Sequence, residues 1–453
     1  MSKLSRKNFN LLFRLLSITA ILTAVCFSAS LVLAEDEESE RTVVVACSDY
    51  QYPNEDSYYL GDVGNSGGEI LMSQVAGVMV DAGITDVDGF LCAGDYDFDL
   101  MQDPYYTAEG INSLMFAANT SGLTNPDTEF VFVQGNHDPQ STDGGTSPSG
   151  NNDPASGKYG VFVINERDYQ WGWNGINEAA TIEIAQELQE YCDNKIADHY
   201  TAPVFVISHL PLHFTMRTYI EGDGVHAGLI FDVLNDAAER GLNIVYLFGH
   251  NHSNGWDDYL GGANVFLEPG DLINISNGER DQYTIETLNF IYMNAGYMGY
   301  YKHQNTEYEA VYDPFYDIRD LTMSCFIITD DSLEIIRYNS DGTANLKERG
   351  IYNRYRYEDY FEPAYPVNEE IKTTYFMYID TNLMSLRIEK IWNDDGDRDH
   401  YRPSAICIRL LDNGEPTEYQ AEFSGEGNTW KYTFTNISIS ENYTVEEIGN
   451  SCN

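Results

Sequence analysis

The chain has 453 residues, of which 43% are hydrophobic, and it carries 72 acidic against 25 basic residues for a formal net charge of −47. This hydrophobic share is sufficient for a sizeable core, and the length allows two or three domains. So negative a surface repels nucleic-acid backbones and anionic membranes, which argues against any polyanion-binding role.

The first 34 residues have the pattern of an export signal. Four basic residues precede an uncharged run from residue 15 to residue 34, which ends in Val32-Leu33-Ala34. A basic start, an apolar centre and small residues at these end positions predict a signal peptide at 1–34, followed by an acidic linker at 35–41. The run is also long enough to span a bilayer, so an uncleaved N-terminal anchor is the alternative. Both alternatives place the rest of the chain outside the cytoplasm, secreted or on the cell surface.

From residue 42 onward, short apolar runs alternate with helical patterns. Strands are predicted at 42–47, 87–92, 129–134, 204–208 and 244–248, and helices at 68–82, 107–118, 176–197 and 231–240. This alternation, with continuously apolar strands, predicts buried and largely parallel sheet. Between residues 264 and 339 strand follows strand, which predicts a second sheet with antiparallel character.

The remaining segments have less regular patterns. A polar loop at 139–158 is either a loop that shapes a binding site or a disordered segment. The Tyr-rich stretch 340–383 is predicted to be a connector, and short alternating strands at 384–453 predict a small β-sandwich. The six cysteines outside the leader are scattered without a C-x-x-C pair, so we expect most of them to be small buried residues.

Five polar clusters stand where apolar strands end. They occupy residues 48–51, 93–97, 135–138, 208–213 and 249–252. The carboxyl ends of strands in an open α/β sheet converge on one crevice, so these side chains can share a site. They supply carboxylates, imidazoles and an amide oxygen, a mixed set suited to Zn, Fe or Mn. A lone His or Asp at a strand end is usually structural, but five such clusters in a row favour a metal site.

In order and composition, these clusters resemble the motifs of calcineurin-like metallophosphoesterases. Gly-Asn-His-Asp at 135–138 and Gly-His-Asn-His at 249–252 match the family pattern in full. The resemblance covers residues 42–339. It implies an α/β fold of two stacked mixed β-sheets flanked by helices, with two divalent or trivalent metal ions (Zn, Fe or Mn) at the strand ends.

The resemblance also implies a role for individual residues. Asp95 would bridge both metals; the first metal would be held by Asp49 and His252, with Gln51 as a weaker ligand, and the second by Asn136, His209 and His250. His137 would be the general acid that protonates the leaving oxygen, oriented by Asp138. The implied reaction is hydrolysis of phosphate mono- or diesters by in-line attack of a metal-bound hydroxide. His213 is either a residue of the phosphate pocket or an ordinary polar loop residue.

Two positions depart from the family pattern. Gln51 stands where the family usually has a His ligand, so the first metal is held either through an amide oxygen or less tightly. Phe98 stands where the second motif normally ends in Asp or Asn, so a supporting contact that commonly tunes metal affinity is either lost or supplied by the flanking Asp97 and Asp99.

The C-terminal residues 384–453 resemble the B-type repeat domains of Gram-positive collagen adhesins, the Cna family. The resemblance rests on Lys390-Ile391-Trp392, the Asn-Asp-Asp at 393–395, Arg402-Pro403, Trp430, and the Tyr-Thr-Val-Glu-Glu at 443–447. It implies a small all-β sandwich on a cell-surface protein. In that family a Lys of the first strand forms an isopeptide bond to an Asn of the last strand, assisted by a Glu. Lys390 and Glu447 match the Lys and the Glu, and we expect the domain to be incomplete, without the strand that carries the Asn.

The sequence therefore predicts a secreted or cell-surface hydrolase acting on phosphoric esters, with a phosphate ester as its substrate and an association with the cell wall or surface. The alternative is a non-catalytic surface protein whose degenerate phosphoesterase domain only binds a ligand. The motifs are shared by phosphatases and phosphodiesterases, so monoester and diester substrates stay open.

Overall fold

The computed structural model describes most of the chain after residue 40. The described residues are 41–50, 67–96, 104–138, 145–165, 178–213, 227–250, 266–276, 283–298, 322–339, 342–343, 374–379, 383–392, 403, 406–424, 428–438 and 442–449. The predicted signal peptide and the linker up to residue 40 lie outside this part, as do Gln51, Phe98 and His252.

The described residues contain four helices and 21 strands. The helices are α1 Gly67–Asp81, α2 Pro104–Thr120, α3 Glu178–Ala197 and α4 Ala227–Glu239. The first fifteen strands are β1 Thr42–Cys47, β2 Gly89–Cys92, β3 Glu129–Phe132, β4 Gly150–Asn151, β5 Gly160–Ile164, β6 Val204–Ser208, β7 Ile244–Phe248, β8 Phe266–Leu267, β9 Leu272–Ser276, β10 Tyr283–Thr287, β11 Ile291–Asn294, β12 Thr322–Thr329, β13 Ser332–Asn339, β14 Gly342–Thr343 and β15 Thr374–Tyr378. The last six are β16 Leu383–Ile391, β17 Cys407–Asp412, β18 Glu415–Pro416, β19 Glu422–Ser424, β20 Thr429–Ser438 and β21 Tyr443–Gly449.

Two mixed sheets form the body of the N-terminal region. The first has the order β14-β13-β12-β1-β2-β3, with β15 also paired to β13, and the second has the order β4-β5-β6-β7-β11-β8. Strands β1, β2 and β3 are parallel, as are β5, β6, β7 and β11. The carboxyl ends of neighbouring parallel strands therefore lie along one edge of each sheet.

The strand β1 shows how the sheets are stacked. Its side chains alternate between two cores because successive residues of a strand point to opposite faces. Val43 and Val45 pack with Val75 of α1, whereas Val44 and Ala46 pack with residues of the second sheet. The second sheet buries its other face against α3 and α4. The layers are thus helices, sheet, sheet and helices, so the predicted α/β fold of two stacked, helix-flanked mixed sheets is confirmed.

Two segments differ from the sequence-based expectation. The strands between residues 264 and 339 do not build one sheet together: β8 and β11 join the second sheet, β12 and β13 extend the first, and only β9 and β10 form a separate antiparallel pair. The Tyr-rich stretch predicted as a connector contributes β14 and β15 to the first sheet. Both differences arise because strand partners distant in the chain are selected by packing, which a local pattern does not record.

The C-terminal region is all-β, as predicted. It contains two three-stranded sheets, with the orders β16-β20-β19 and β18-β17-β21. Their inner faces enclose a small core around Trp430, Tyr432, Leu410 and Phe434.

The cysteines divide into two kinds. Cys47, Cys92, Cys192 and Cys325 are buried free thiols, as expected, whereas Cys407 is disulfide-bonded. Among the residues that the structure describes, no helix is long and apolar enough to cross a bilayer.

Candidate metal centre

Five strands of the two sheets deliver polar side chains to one edge of the fold. Asp49 follows β1 and Asp95 follows β2, while the residues 135–138 follow β3. His209 is the first residue after β6, and His250 stands two residues after β7. The two sheets are linked at this edge, because Met298 N donates to Ser48 O and His250 N donates to Asp49 Oδ2.

Three of these residues hold the backbone in the left-handed region. Asp49, Asp95 and His250 have φ angles of 51°, 59° and 66°, which residues other than Gly rarely adopt. Such conformations cost about 1–3 kcal/mol each and cluster at functional sites. The fold therefore accepts backbone strain at the positions where these side chains turn inward.

The glycines of the motifs are required by close approach. At Gly94, which has a φ of 89°, a Cβ atom would lie 2.8 Å from His209 Nδ1. At Gly135 a Cβ atom would lie 2.2 Å from Asp95 Oδ1. No larger residue fits at either position without moving the side chain of a predicted ligand.

Four nitrogen and oxygen atoms that can bind a metal converge on one point. His209 Nε2 lies 3.2 Å from Asp95 Oδ2 and 3.0 Å from Asn136 Oδ1. His250 Nδ1 lies 2.9 Å from Asn136 Oδ1 and 3.2 Å from His209 Nε2. Within the described part of the chain, Asp95, His209 and His250 are the one group of three or more His, Cys, Asp or Glu whose ligand atoms all lie within 4.8 Å of one another.

The hydrogen bonds of His209 show that this cluster fits a cation. Its Nδ1 lies 2.7 Å from Ala93 O, and because a carbonyl oxygen only accepts, Nδ1 carries the proton. Nε2 of the neutral ring then presents a lone pair to Asp95 Oδ2, a buried oxygen that receives no hydrogen bond from the described residues. Asp95 Oδ2, Asn136 Oδ1 and the Nε2 of neutral His209 carry no proton. If both imidazoles are neutral, the four atoms therefore have at most one proton among them, the one that His250 Nδ1 can carry. A metal ion satisfies all four, and a carbonyl that orients the far nitrogen is the usual support for a His ligand.

The charge state of Asp95 suits the same role. Burial alone would raise the pKa of its carboxyl, but His209 and His137, whose rings attract the carboxylate when they are protonated, outweigh burial and hold the pKa well below its usual value. Asp95 therefore stays ionised in the interior. Its Oδ1 accepts the main-chain N–H of His137 at 3.0 Å, and Oδ2 lies 3.9 Å from His137 Nε2.

Asp49 lies beside the cluster. Its carboxylate Oδ2 accepts the main-chain N–H of His250 at 3.0 Å, and the residue is fully buried. The other two predicted ligands of the first metal, Gln51 and His252, lie outside the described residues. The structure thus brings together Asp95, Asn136, His209 and His250, with Asp49 adjacent to them.

Asp138 supports the backbone around Asp95. Its carboxylate accepts main-chain N–H groups from Gly135 at 2.8 Å and from Asp95 and Tyr96 at 3.0 Å each. Burial and the nearby charge of Asp95 raise the pKa of Asp138 to about 7. These partners are main-chain amides rather than the ring of His137, so the predicted orientation of His137 by Asp138 stays a prediction.

His213 is fully buried, and its Nδ1 lies 2.6 Å from the hydroxyl of Tyr292. The same hydroxyl accepts the main-chain N–H of Leu212 at 2.9 Å and of His213 at 3.2 Å. Tyr292 thereby fixes the loop that follows His209. No sequence motif marks Tyr292, because it stands within an apolar strand and acts only through this tertiary contact.

Lys390 and Glu447 also meet, on the C-terminal region. Lys390 Nζ lies 2.5 Å from Glu447 Oε1, and the two side chains are 32% and 52% exposed. The contact joins the first strand of one C-terminal sheet, β16, to the last strand of the other, β21.

Comparison with known proteins gives one family match. Residues 386–451 match the family model of the Cna protein B-type domain, which confirms the predicted identity of this region. No curated protein matches the chain.

Several solved structures are similar to the chain at low identity. A dimetal phosphatase from Danio rerio has 12% identity and a TM-score of 0.38, over 66% of this chain and 96% of that protein. A purple acid phosphatase from yellow lupin seeds has 11% identity and a TM-score of 0.36, over 75% of this chain and 54% of that protein. A 5′-nucleotidase precursor from Thermus thermophilus has 12% identity and a TM-score of 0.27, over 67% of this chain and 52% of that protein. The chain thus spans about half of the lupin and Thermus proteins.

Proposed function

We propose that the N-terminal region is a metal-dependent phosphoesterase of the calcineurin-like type, carried on an exported protein with a Cna B-type domain. The observation that supports it most directly is the convergence on one point of four atoms that can bind a metal: Asp95 Oδ2, Asn136 Oδ1, His209 Nε2 and His250 Nδ1. These residues belong to four separate motifs, in the order that the resemblance requires.

The residues that would hold the metals are those assigned from the motifs. Asp95 would bridge two ions, with Asn136, His209 and His250 on one of them and Asp49, His252 and Gln51 on the other. When bound, such ions lower the pKa of a coordinated water and neutralise the phosphoryl oxygens. Carboxylate, amide and imidazole ligands are compatible with Zn, Fe or Mn.

His137 is the residue of the chain that would move a proton. Its main-chain N–H is fixed on Asp95 Oδ1, while its side chain keeps 12% exposure. The imidazole therefore borders the cluster and remains within reach of a substrate. An imidazole titrates near neutral pH, so it can donate a proton to the leaving oxygen of a phosphate ester.

The Cna B-type domain supports a location at the cell surface, in agreement with the predicted signal peptide. The substrate would then be an extracellular phosphate mono- or diester. The strongly acidic composition argues against a nucleic-acid polymer as substrate.

The test is elemental analysis of the purified full chain, together with hydrolysis of a panel of phosphate mono- and diesters. We expect two equivalents of transition metal and hydrolysis that is abolished by a chelator. Absence of hydrolysis of every ester, with or without bound metal, would favour the non-catalytic ligand-binding protein, and a chain that takes up no metal would contradict the metal-dependent phosphoesterase.

A further inference from the structure

The outer face of the C-terminal sheet β16-β20-β19 carries a compact polar patch. Strand alternation turns Leu386 and Ile388 toward the domain core, so Arg387 and Glu389 point outward. Arg387 is paired directly with Thr433 of β20, and Glu389 with Lys431. These four side chains, Arg387, Glu389, Lys431 and Thr433, are called the β16–β20 patch below.

An acidic surface of the N-terminal region lies against this patch. The helix α4 turns Ile230 and Leu234 into the core, which leaves Asp232 and Asp236 on its opposite side. Asp236 forms ion pairs with two residues of the β16–β20 patch, through Arg387 Nη1 and through Lys431 Nζ at 3.7 Å. It also lies 3.5 Å from Arg240 Nη1 on its own side.

The burial of Thr433 shows that this contact is close. A threonine on the outer face of a sheet would ordinarily face solvent, yet Thr433 is 1% exposed, and its hydroxyl donates to Glu239 Oε1 at 3.3 Å. Arg387 keeps only 13% exposure. The pKa of Glu389 is lowered mainly by its hydrogen bond from Arg387, and Arg240 of the N-terminal region contributes to the same shift.

The connection between the two regions is short. Strand β15 of the first sheet ends at Tyr378 and β16 begins at Leu383, so four residues separate them. At about 3.5 Å per extended residue, such a connection reaches roughly 15–18 Å. It keeps the start of the C-terminal domain within this distance of the end of β15.

We propose that the α3–α4 face is a docking surface for the chain's own Cna B-type domain, closed by Asp236 binding Arg387 and Lys431. The phosphoesterase region and the C-terminal domain then move as one body at low ionic strength, instead of as a catalytic head on a flexible stalk. This inference is independent of the phosphoesterase activity.

The two surfaces carry complementary charges. The helical side carries several acidic residues and one basic residue, Arg240. The sheet side carries two basic residues, Arg387 and Lys431, and one acidic residue, Glu389. Between the two surfaces lies an open cavity of about 580 Å³, lined by both regions mostly with charged residues, and we infer that charge stabilises the contact. The charged residues that line the cavity are Asp193, Asp232, Asp236 and Arg240 from the helices, and Arg387, Glu389 and Lys431 from the sheet.

Zero-length cross-linking with a carbodiimide tests this docking on the full chain. The reagent joins an amine to a carboxylate that it already touches, as an amide. We expect a Lys431–Asp236 link in the monomer at low salt, which declines toward 1 M salt as the Debye length falls from about 10 Å to about 3 Å. A Lys390–Glu447 link lies within the C-terminal domain and serves as the internal control, because it reports a folded domain and an active reagent.

Two arginine variants sharpen the test, because neither alters the linked residues. Arg387→Gln removes a docking contact and should lower the yield of the Lys431–Asp236 link about two- to five-fold. This fold-change corresponds to the loss of one ion pair that contributes about 0.5–1 kcal/mol. Arg409→Gln is the matched control, since Arg409 pairs with Glu446 inside the C-terminal domain at 3.9 Å. It should leave the yield unchanged.

Either of two results would overturn the proposal. In one, the Lys390–Glu447 link forms at low salt without any Lys431–Asp236 link, so the domain does not rest on α4. In the other, the Lys431–Asp236 link forms but responds neither to salt nor to Arg387→Gln, so charge does not hold the contact.

Discussion

The metal centre and the Lys390–Glu447 pair both join polar side chains from distant strands, but they differ in burial. Asp95 and His209 are fully buried, and within the described part of the chain no group donates a hydrogen bond to Asp95 Oδ2. Lys390 and Glu447 are 32% and 52% exposed and neutralise each other directly. A buried charge among acceptors requires a compensating ion, whereas an exposed ion pair is complete in water. Burial, more than proximity, therefore separates a centre that needs a ligand from a contact that does not.

The largest effect is expected from Asp95→Asn. This change removes the one carboxylate assigned to both metals and should lower metal content and hydrolysis by more than the roughly 10- to 100-fold that loss of a supporting residue costs. Asp86→Asn is the matched control, because Asp86 is exposed and has a similar φ of 53°. Elemental analysis and hydrolysis of a nitrophenyl ester measure both effects, and full metal content in Asp95→Asn would refute the assignment.

His137→Ala separates proton transfer from metal binding. An alkoxide leaving group needs a proton, whereas an activated aryl oxide leaves without one. The variant should hydrolyse alkyl phosphate esters about 10²–10⁴-fold more slowly, with a much smaller loss on nitrophenyl esters and unchanged metal content. The ratio of the two substrates is an internal control. Equal losses on both would mean that His137 positions the phosphate or a metal instead.

Asp138→Ala tests whether the buried centre depends on its backbone support. The change leaves the N–H groups of Gly135, Asp95 and Tyr96 without their acceptor, at a cost of about 1–3 kcal/mol for each buried donor left unsatisfied. We expect a lower melting temperature and metal affinity reduced about 10- to 100-fold. Asp138→Asn keeps one acceptor oxygen and should be milder. If both variants bind metal as the wild type does, Asp138 does not position Asp95.

His213 extends the comparison to a buried group outside the metal centre. Burial lowers the pKa of His213 to about 3 from about 6.5. Between pH 6.5 and pH 3 the imidazole is therefore protonated in the unfolded chain but neutral in the folded chain. The stability that neutral His213 contributes is lost progressively as the pH falls below 6.5. From pH 7 to pH 5 the loss is about 2 kcal/mol.

Urea unfolding at pH 7 and pH 5 measures this loss. His213→Gln should show a pH dependence of unfolding free energy that is weaker than that of the wild type by this amount. His199→Gln, at an exposed position, is the control and should behave as the wild type. An unchanged pH dependence in His213→Gln would show that the histidine is protonated in the folded chain.

The smallest effect is expected at Lys390. An exposed ion pair contributes at most about 1 kcal/mol, so Lys390→Met should lower the unfolding free energy by no more than that. An isopeptide bond from Lys390 to an Asn would release one ammonia. We expect the intact mass to show no such loss, because Lys390 is expected to keep a free amine. A mass lower by one ammonia, together with a large destabilisation in Lys390→Met, would reveal a covalent bond.

Sequence alone determined the elements with strong local patterns and the motifs at their ends. The helices α1 to α4 and the strands β1, β6 and β7 lie within a few residues of their predicted bounds, because apolar periodicity follows directly from burial on one or two faces. The same motifs predicted Asp95, Asn136, His209 and His250 as a cluster, since the ends of parallel strands meet at one edge. The Cna B-type domain was equally visible in its residues.

Only the tertiary structure decided which distant strands pair and what supports the site. The strands β12 and β13 extend the first sheet and β11 joins the second, because side-chain packing selects partners that the local sequence cannot specify. Packing likewise places Tyr292 under the His209 loop and brings Asp138 to main-chain amides. The contact of Asp236 with Arg387 and Lys431 is of the same kind: each residue is an ordinary surface charge in the sequence, and only folding brings them together.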